Sequence, residues 1–130
     1  LAAAHKAGVV HADLSPRNIL RRKNGSCLLA DFGFSRLIGG LATTASAGTP
    51  GFLAPEQLSD VFGTVSPQTD LFGIGGVLYF LITGKAPFVG RDTAEILAET
   101  LSLRTASRVS DLVPDVPHTL DQLIAELFFK

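Results

Sequence analysis

The chain has 130 residues, a formal net charge of −1, 46% hydrophobic content, one cysteine and three histidines. This is enough for one globular domain with a substantial core, and the near-neutral charge argues against nucleic acid as the main partner. A lone cysteine excludes an internal disulfide and the start carries no signal-peptide pattern, so a reducing, cytoplasmic setting is the simplest fit.

In chain order, Leu1 to Gly8 has the look of the last turns of a helix, with His5 and Lys6 near its end and Gly8 as a stop. The sequence contains no methionine, and a domain should not begin in mid-helix, so the chain is expected to be a piece of a longer protein. From Val9 to Gly33 two short apolar runs, Ile19-Leu20 and Cys27 to Ala30, flank a polar tip containing Asn24-Gly25. Asn-Gly between apolar residues predicts a β-hairpin, because both positions tolerate a positive φ. Cys27, inside an apolar strand, is expected to be a buried small residue.

The hairpin places Asp13 and Asn18 before its first strand and Asp31 just past its second. Two carboxylates and an amide at one end of a small sheet suit Mg²⁺, a hard cation that takes oxygen ligands. His5 and His118 have no evident chemical partner.

Residues 34–53 carry small residues, glycines and hydroxyls without a sustained period, as a loop does. Pro55 in Ala54-Pro55-Glu56 is placed to start a short helix at its first position. Asp70 then precedes an apolar run, Leu71 to Thr83, closed by Gly84 and Pro87. A bilayer needs about 20 apolar residues, so this run predicts a buried helix over 70–83, capped by Asp70 and apolar all round. Asp92 to Glu95 and Thr119 to Gln122 resemble capping boxes, predicting helices over 92–101 and 119–130. In the second, Leu120, Leu123, Ile124, Leu127 and Phe128 form a core-facing stripe. Residues 104–118, with Pro114 and Pro117, are expected to be a loop, and no internal repeat or low-complexity tract occurs.

His11-Ala12-Asp13-Leu14 with Asn18 five residues beyond Asp13, followed by Asp31-Phe32-Gly33, resembles the catalytic loop and Asp-Phe-Gly pair of the protein kinases. Gly48-Thr49-Pro50-Gly51-Phe52 before Ala54-Pro55-Glu56 is similar to the end of the activation segment in the serine/threonine type. The resemblance covers essentially the whole chain, 1–130, as a partial kinase domain. It implies an α+β fold: the mainly helical C-terminal lobe of a kinase with a small β-hairpin. The Gly-rich loop, strand lysine and partner glutamate of the N-terminal lobe are absent from this sequence and are expected upstream of Leu1. The landmarks become a catalytic loop at 9–20, the Asp-Phe-Gly motif at 31–33, an activation segment at 31–56 and a central helix at 70–83.

The implied activity is transfer of the ATP γ-phosphoryl group to a Ser or Thr hydroxyl of a protein substrate, with ATP and Mg²⁺ as cofactors and no nucleic-acid or membrane contact within these residues. The resemblance makes Asp13 the base, Asn18 and Asp31 the metal ligands, Leu20 the floor of the adenine pocket and Thr49 the residue that orients Asp13. Asp70 would tie the central helix to the catalytic loop. Three departures stand out. Ala12 replaces the arginine that pairs with a phosphorylated activation segment, so modification of Thr43, Thr44 or Ser46 is not expected to be required. Ser15 replaces a lysine that contacts the transferring phosphate, and Arg17 is placed to take over that contact. Glu56 is expected to lack its family arginine, and a buried pair broken in this way costs about 3–5 kcal/mol; this piece alone is therefore expected to be poorly stable and inactive. Two other readings remain open: a pseudokinase scaffold, left possible by Ala12 and Ser15, and a small-molecule phosphotransferase of the aminoglycoside or choline kind, in which a small residue also stands between His and Asp.

Overall fold

The computed structural model describes residues 1–37, 48–102 and 104–129. Among these residues, five α-helices and two small antiparallel sheets alternate with 3-10 turns. Helix α1, Ala2–Lys6, ends at Ala7, and Gly8 turns the chain with φ +76°. Strand β1, Val9–Val10, then pairs with β4, Arg36–Leu37, in the register Val9 to Leu37 and Val10 to Arg36. This pairing brings together the two ends of the segment between Val10 and Arg36.

Strand β2, Ile19–Arg21, pairs with β3, Cys27–Leu29, with Leu20 opposite Leu28 and Arg21 opposite Cys27. The tip is not a two-residue turn. Only Gly25 takes a positive φ, +84°, and Arg22 N–H closes a longer loop on the Ser26 carbonyl at 2.8 Å. Asn24 acts through its side chain instead: Oδ1 accepts from Ser26 N–H at 3.1 Å and from the Ser26 hydroxyl at 2.7 Å. This is the three-residue alternative, in which one residue in the left-handed region re-aims the returning strand. Cys27 is exposed, against expectation. A two-stranded ribbon with no layer packed on it among the described residues has no face on which to bury it; Leu20 and Leu28 on the same hairpin are 52% and 40% exposed.

The long helix α2 spans Pro67–Thr83, three residues earlier than its apolar run predicts. Pro67 fills the first helical position, and Thr69 Oγ1 accepts from Ser66 N–H at 3.0 Å. Asp70 therefore lies inside the first turn, where its carboxylate faces the loop that follows β1 rather than capping the helix. Gly84 ends α2 at φ +71°, its N–H bonded to the Phe80 carbonyl at 2.8 Å. The helix is not buried all round. Phe72, Gly73, Val77 and Tyr79 face inward, whereas Leu71 and Leu81 are 44% and 69% exposed, since no described element covers that side.

Helix α3, Thr93–Leu101, is capped by Asp92, whose carboxylate accepts from Glu95 N–H at 2.9 Å. Glu95 does not return the bond; it turns to Arg91 N–H, at 2.6 Å, and this bond, followed by the Arg91 side chain, holds its carboxyl below the usual range. A short helix α4, Val109–Leu112, interrupts the expected 104–118 loop, because Val109 is drawn into the core. Helix α5 covers His118–Leu127, with Pro117 at the N-cap and Thr119 already helical, so Thr119 caps nothing. Lys130 lies outside the described residues.

Packing of α2 against α4 and α5 makes the core, centred on Phe128. Its ring meets Phe72, Phe88 and Tyr79 edge-on at 5.2, 5.9 and 6.1 Å, while Phe72 and Phe88 stack with planes 6° apart. Such geometries add to simple area burial. Phe72 occupies the position at which the resembled family usually has a tryptophan. At the rim, burial works to raise the Asp121 carboxyl. The Arg108 guanidinium, at 2.7 Å, and the Ser110 N–H and hydroxyl, at 3.1 and 3.0 Å, outweigh burial and hold it below the usual carboxylate range.

Candidate active site

Leu14 is the point at which the loop from His11 to Asn18 meets α2. Gly73 offers no side chain there, and a Cβ on it would come 2.6 Å from the Leu14 Cβ and 3.2 Å from the Leu14 carbonyl. The loop can lie on the helix only because position 73 is glycine. One turn earlier, Asp70, 1% exposed, binds the loop backbone: Oδ2 accepts from His11 N–H and Oδ1 from Ala12 N–H, both at 2.9 Å. His5 Nε2 lies 2.7 Å from Asp70 Oδ2. His5 thus has a partner that its sequence position did not suggest, and α1, the loop and α2 meet at one buried carboxylate.

His11 is fully buried and uses both ring nitrogens: Nε2 donates to the Ala30 carbonyl at 3.0 Å, and Nδ1 accepts from Asp13 N–H at 3.2 Å. With neither nitrogen left over, His11 is a packing and bonding residue, edge-on to Phe32 at 4.6 Å. His118 is exposed.

The Asp13 carboxylate is the hub of the site. Oδ1 accepts from Thr49 N–H at 2.9 Å and from the Thr49 hydroxyl at 3.0 Å; Oδ2 accepts from Asn18 Nδ2 at 2.8 Å. Asn18 Nδ2 also donates to the Asp13 carbonyl at 2.8 Å, which leaves the Asn18 Oδ1 lone pairs outside this network. Ser15 Oγ lies 3.2 Å from Thr49 Oγ1 and is fully buried. A hydroxyl has one proton. With the Thr49 proton directed to Asp13, the Ser15 hydroxyl supplies the proton of the Ser15–Thr49 contact.

Asp31 follows strand β3 with φ +60°, and its Oδ1 accepts from Gly33 N–H at 3.1 Å. The Ala30 N–H to Asn18 carbonyl bond, 2.8 Å, sets Asn18 beside the residue that precedes Asp31, so both lie at the open end of the hairpin. Among the described residues no three His, Cys, Asp or Glu side chains gather as a closed metal site. An amide oxygen and a carboxylate instead fit a cation that completes its shell with phosphate oxygens and water, as Mg²⁺ does. Arg17, in the 3-10 turn Pro16–Asn18, is exposed with no hydrogen bond among the described residues, and Leu20 faces solvent from β2. The structure therefore draws Asp13, Asn18, Ser15 and Thr49 into one network, sets Asp31 beside it, and leaves Arg17 and Leu20 pointing outward.

Beyond Thr49, Pro55 opens a 3-10 turn, Pro55–Gln57. Glu56 is not bare; its Oε1 accepts from the Thr69 hydroxyl at 2.7 Å, so the start of α2 provides a hydrogen bond to the carboxylate expected to lack its family arginine. Gln57 was not foreseen from sequence. Its Nε2 donates to the Ala12 carbonyl at 2.6 Å and its Oε1 accepts from Ala54 N–H at 3.0 Å. Thr43, Thr44 and Ser46 lie outside the described residues. Among the described residues no helix is long and apolar enough to cross a membrane.

Comparison with known proteins gives this geometry a context. The family model described as protein kinase domain matches residues 1–129. The serine/threonine-protein kinase PknL of Mycobacterium tuberculosis is 38% identical over 128 residues, 96% of this chain and 31% of PknL. PkaA of Streptomyces coelicolor, also a serine/threonine-protein kinase, is 41% identical over 124 residues, 88% of this chain and 22% of PkaA. PknK of Mycobacterium bovis, of the same description, is 38% identical over 114 residues, 86% of this chain and 10% of PknK. The chain thus spans about a third or less of the length of these relatives.

Proposed function

The chain belongs to the protein kinase family, and from that membership we propose that it is the C-terminal lobe of an ATP-dependent serine/threonine protein kinase of the cytoplasm. The observation that carries the reading is the Asp13 carboxylate, buried yet held in one orientation by Thr49 and Asn18. A general base for a hydroxyl must be fixed within hydrogen-bond reach of the proton that it takes. Asp13 takes the proton of a substrate Ser or Thr hydroxyl as that oxygen forms its bond to the γ-phosphorus and the bond to ADP breaks. Asn18 Oδ1 and the Asp31 carboxylate would hold Mg²⁺, which would neutralise the phosphate charge. Leu20 offers its exposed apolar face to the adenine. Arg17, with no hydrogen bond among the described residues, reaches the transferring phosphate in place of the lysine that Ser15 has replaced, a task suited to the planar fork of a guanidinium. Ser15 meanwhile joins Thr49 in holding Asp13.

Phosphate transfer from labelled ATP with Mg²⁺ to a generic protein substrate, by the full-length protein beside its Asp13→Asn variant, tests this. Label on Ser or Thr should fall at least about 10²-fold in the variant. No label from either protein with Mg·ATP binding intact would replace this reading by a pseudokinase, and label on a small alcohol alone would replace it by a small-molecule phosphotransferase.

A further inference from the structure

Resting on that phosphoryl-transfer reading, we propose that Gln57 is a positioning residue for Asp13, joining the 48–57 segment to the loop through the Ala12 carbonyl. Ala12 has φ +63° and is 4% exposed. A residue with a Cβ avoids the left-handed region unless its surroundings hold it there. Two side chains grip the Ala12 backbone: Asp70 at its N–H, 2.9 Å, and Gln57 at its carbonyl, 2.6 Å. The Ala12 carbonyl shares a rigid peptide plane with Asp13 N–H, so fixing that oxygen fixes the direction in which the chain enters Asp13. The same plane is steadied on its other edge by His11 Nδ1, 3.2 Å from Asp13 N.

The Gln57 amide is itself oriented. Ala54 N–H donates to Oε1 at 3.0 Å, which leaves Nε2 as the donor aimed at Ala12. One arm closes the local turn and the other reaches back 45 residues. Position 12 carries only a methyl group, so no charged side chain links it to the segment that ends at Gln57. The link here is a neutral hydrogen bond to the backbone, acting beside the Thr49 to Asp13 bonds. Displacement of the segment would release the Ala12 peptide and, with it, the aim of the base.

The test compares full-length wild type with Gln57→Met, which removes both arms at similar size, and Gln57→Glu, which keeps the acceptor for Ala54 N–H and turns an oxygen toward the Ala12 carbonyl. In both variants kcat should fall about tenfold or more while the Kd of Mg·ATP stays within about twofold, because a lost buried hydrogen bond is worth roughly that factor. Amide exchange at Ala12 and Asp13 should quicken by a similar factor with α2 unchanged. As pH falls toward the introduced carboxyl's ordinary value of about 4.3, the ratio of Gln57→Glu to wild-type kcat should climb, since a protonated carboxyl can donate again. A residue that merely closed its own turn would let Gln57→Glu behave as wild type. Wild-type transfer with Gln57→Glu within about twofold of it at neutral pH would overturn the proposal and leave the kinase reading standing. Absence of transfer by the wild type would overturn that reading, and the proposal with it.

Discussion

Gly73→Ala is the sharpest probe of how the helix supports the loop. In an open helix interior the change gains about 0.5–1 kcal/mol, because glycine loses more freedom on folding. At this site the new Cβ would stand 2.6 Å from the Leu14 Cβ and 3.2 Å from its carbonyl. Neither is the tip of a flexible side chain, so no rotamer change relieves the clash, and even Leu14→Ala would keep the offending atom. Backbone shifts of this kind cost about 1–3 kcal/mol. The expected net loss is about 1–2 kcal/mol in urea unfolding with m unchanged. Gly84→Ala is the control. Its Cβ meets nothing, but φ is +71°, so it too loses about 1–2 kcal/mol. The two variants should part in turnover: Gly73→Ala moves the residue next to Asp13 and lowers kcat, whereas Gly84→Ala leaves kcat alone. A Gly73→Ala protein as stable as wild type, or two variants with equal turnover, would refute the reasoning.

Other predictions follow from the same contacts. Asp70→Ala strands two buried backbone N–H groups, each worth about 1–3 kcal/mol, so denaturation should show a loss of at least about 2 kcal/mol; a loss under about 1 would contradict the loop-anchoring role. Ala12→Val, which adds a branched side chain at φ +63°, should destabilise more than Ala12→Gly in the same assay. The Asp121 carboxyl is held below its ordinary value of 3.8, so its contribution is present above that pH and fades as pH falls through the lower folded value. Arg108→Met should flatten the acid limb of the stability curve, and an unchanged limb would count against the pair. Changing Thr43, Thr44 and Ser46 together to Ala should leave phosphate transfer in place, since Ala12 has no guanidinium with which to receive a phosphate; abolished transfer would refute this.

What could be seen in the sequence was local. The Asn24-Gly25 tip, the apolar run of α2, the stripe on α5 (apart from Leu123, which is 46% exposed) and the spacing of Asp13, Asn18 and Asp31 all announce themselves within a few residues. What could not be seen depends on partners far along the chain. His5 meets Asp70 across 65 residues and Gln57 meets Ala12 across 45, and neither residue carries a signal before the fold joins them. The β1–β4 pairing fails to register because each strand has two residues, too few for a period. Cys27 is exposed although its sequence neighbours are apolar, because neighbours along a two-stranded ribbon do not make a core in space. Asp70 opens the apolar run in sequence and so resembles a helix cap, whereas Ser66-Pro67 starts the helix and frees the carboxylate for the loop.

The aromatic core has an optical consequence. The chain contains no tryptophan and a single tyrosine, so the long-wavelength end of its near-ultraviolet absorption, beyond the phenylalanine bands, comes from one ring, Tyr79, packed beside Phe128. Burial, and after it the charge of Asp111, push the Tyr79 hydroxyl above its ordinary 10.0. The folded chain therefore holds the neutral phenol, an advantage present below pH 10 and lost as pH climbs through the raised value. Tyrosinate absorption should rise late and together with unfolding. An alkaline titration of the unmodified chain thus reads the integrity of its core at a single, known atom, with no label attached.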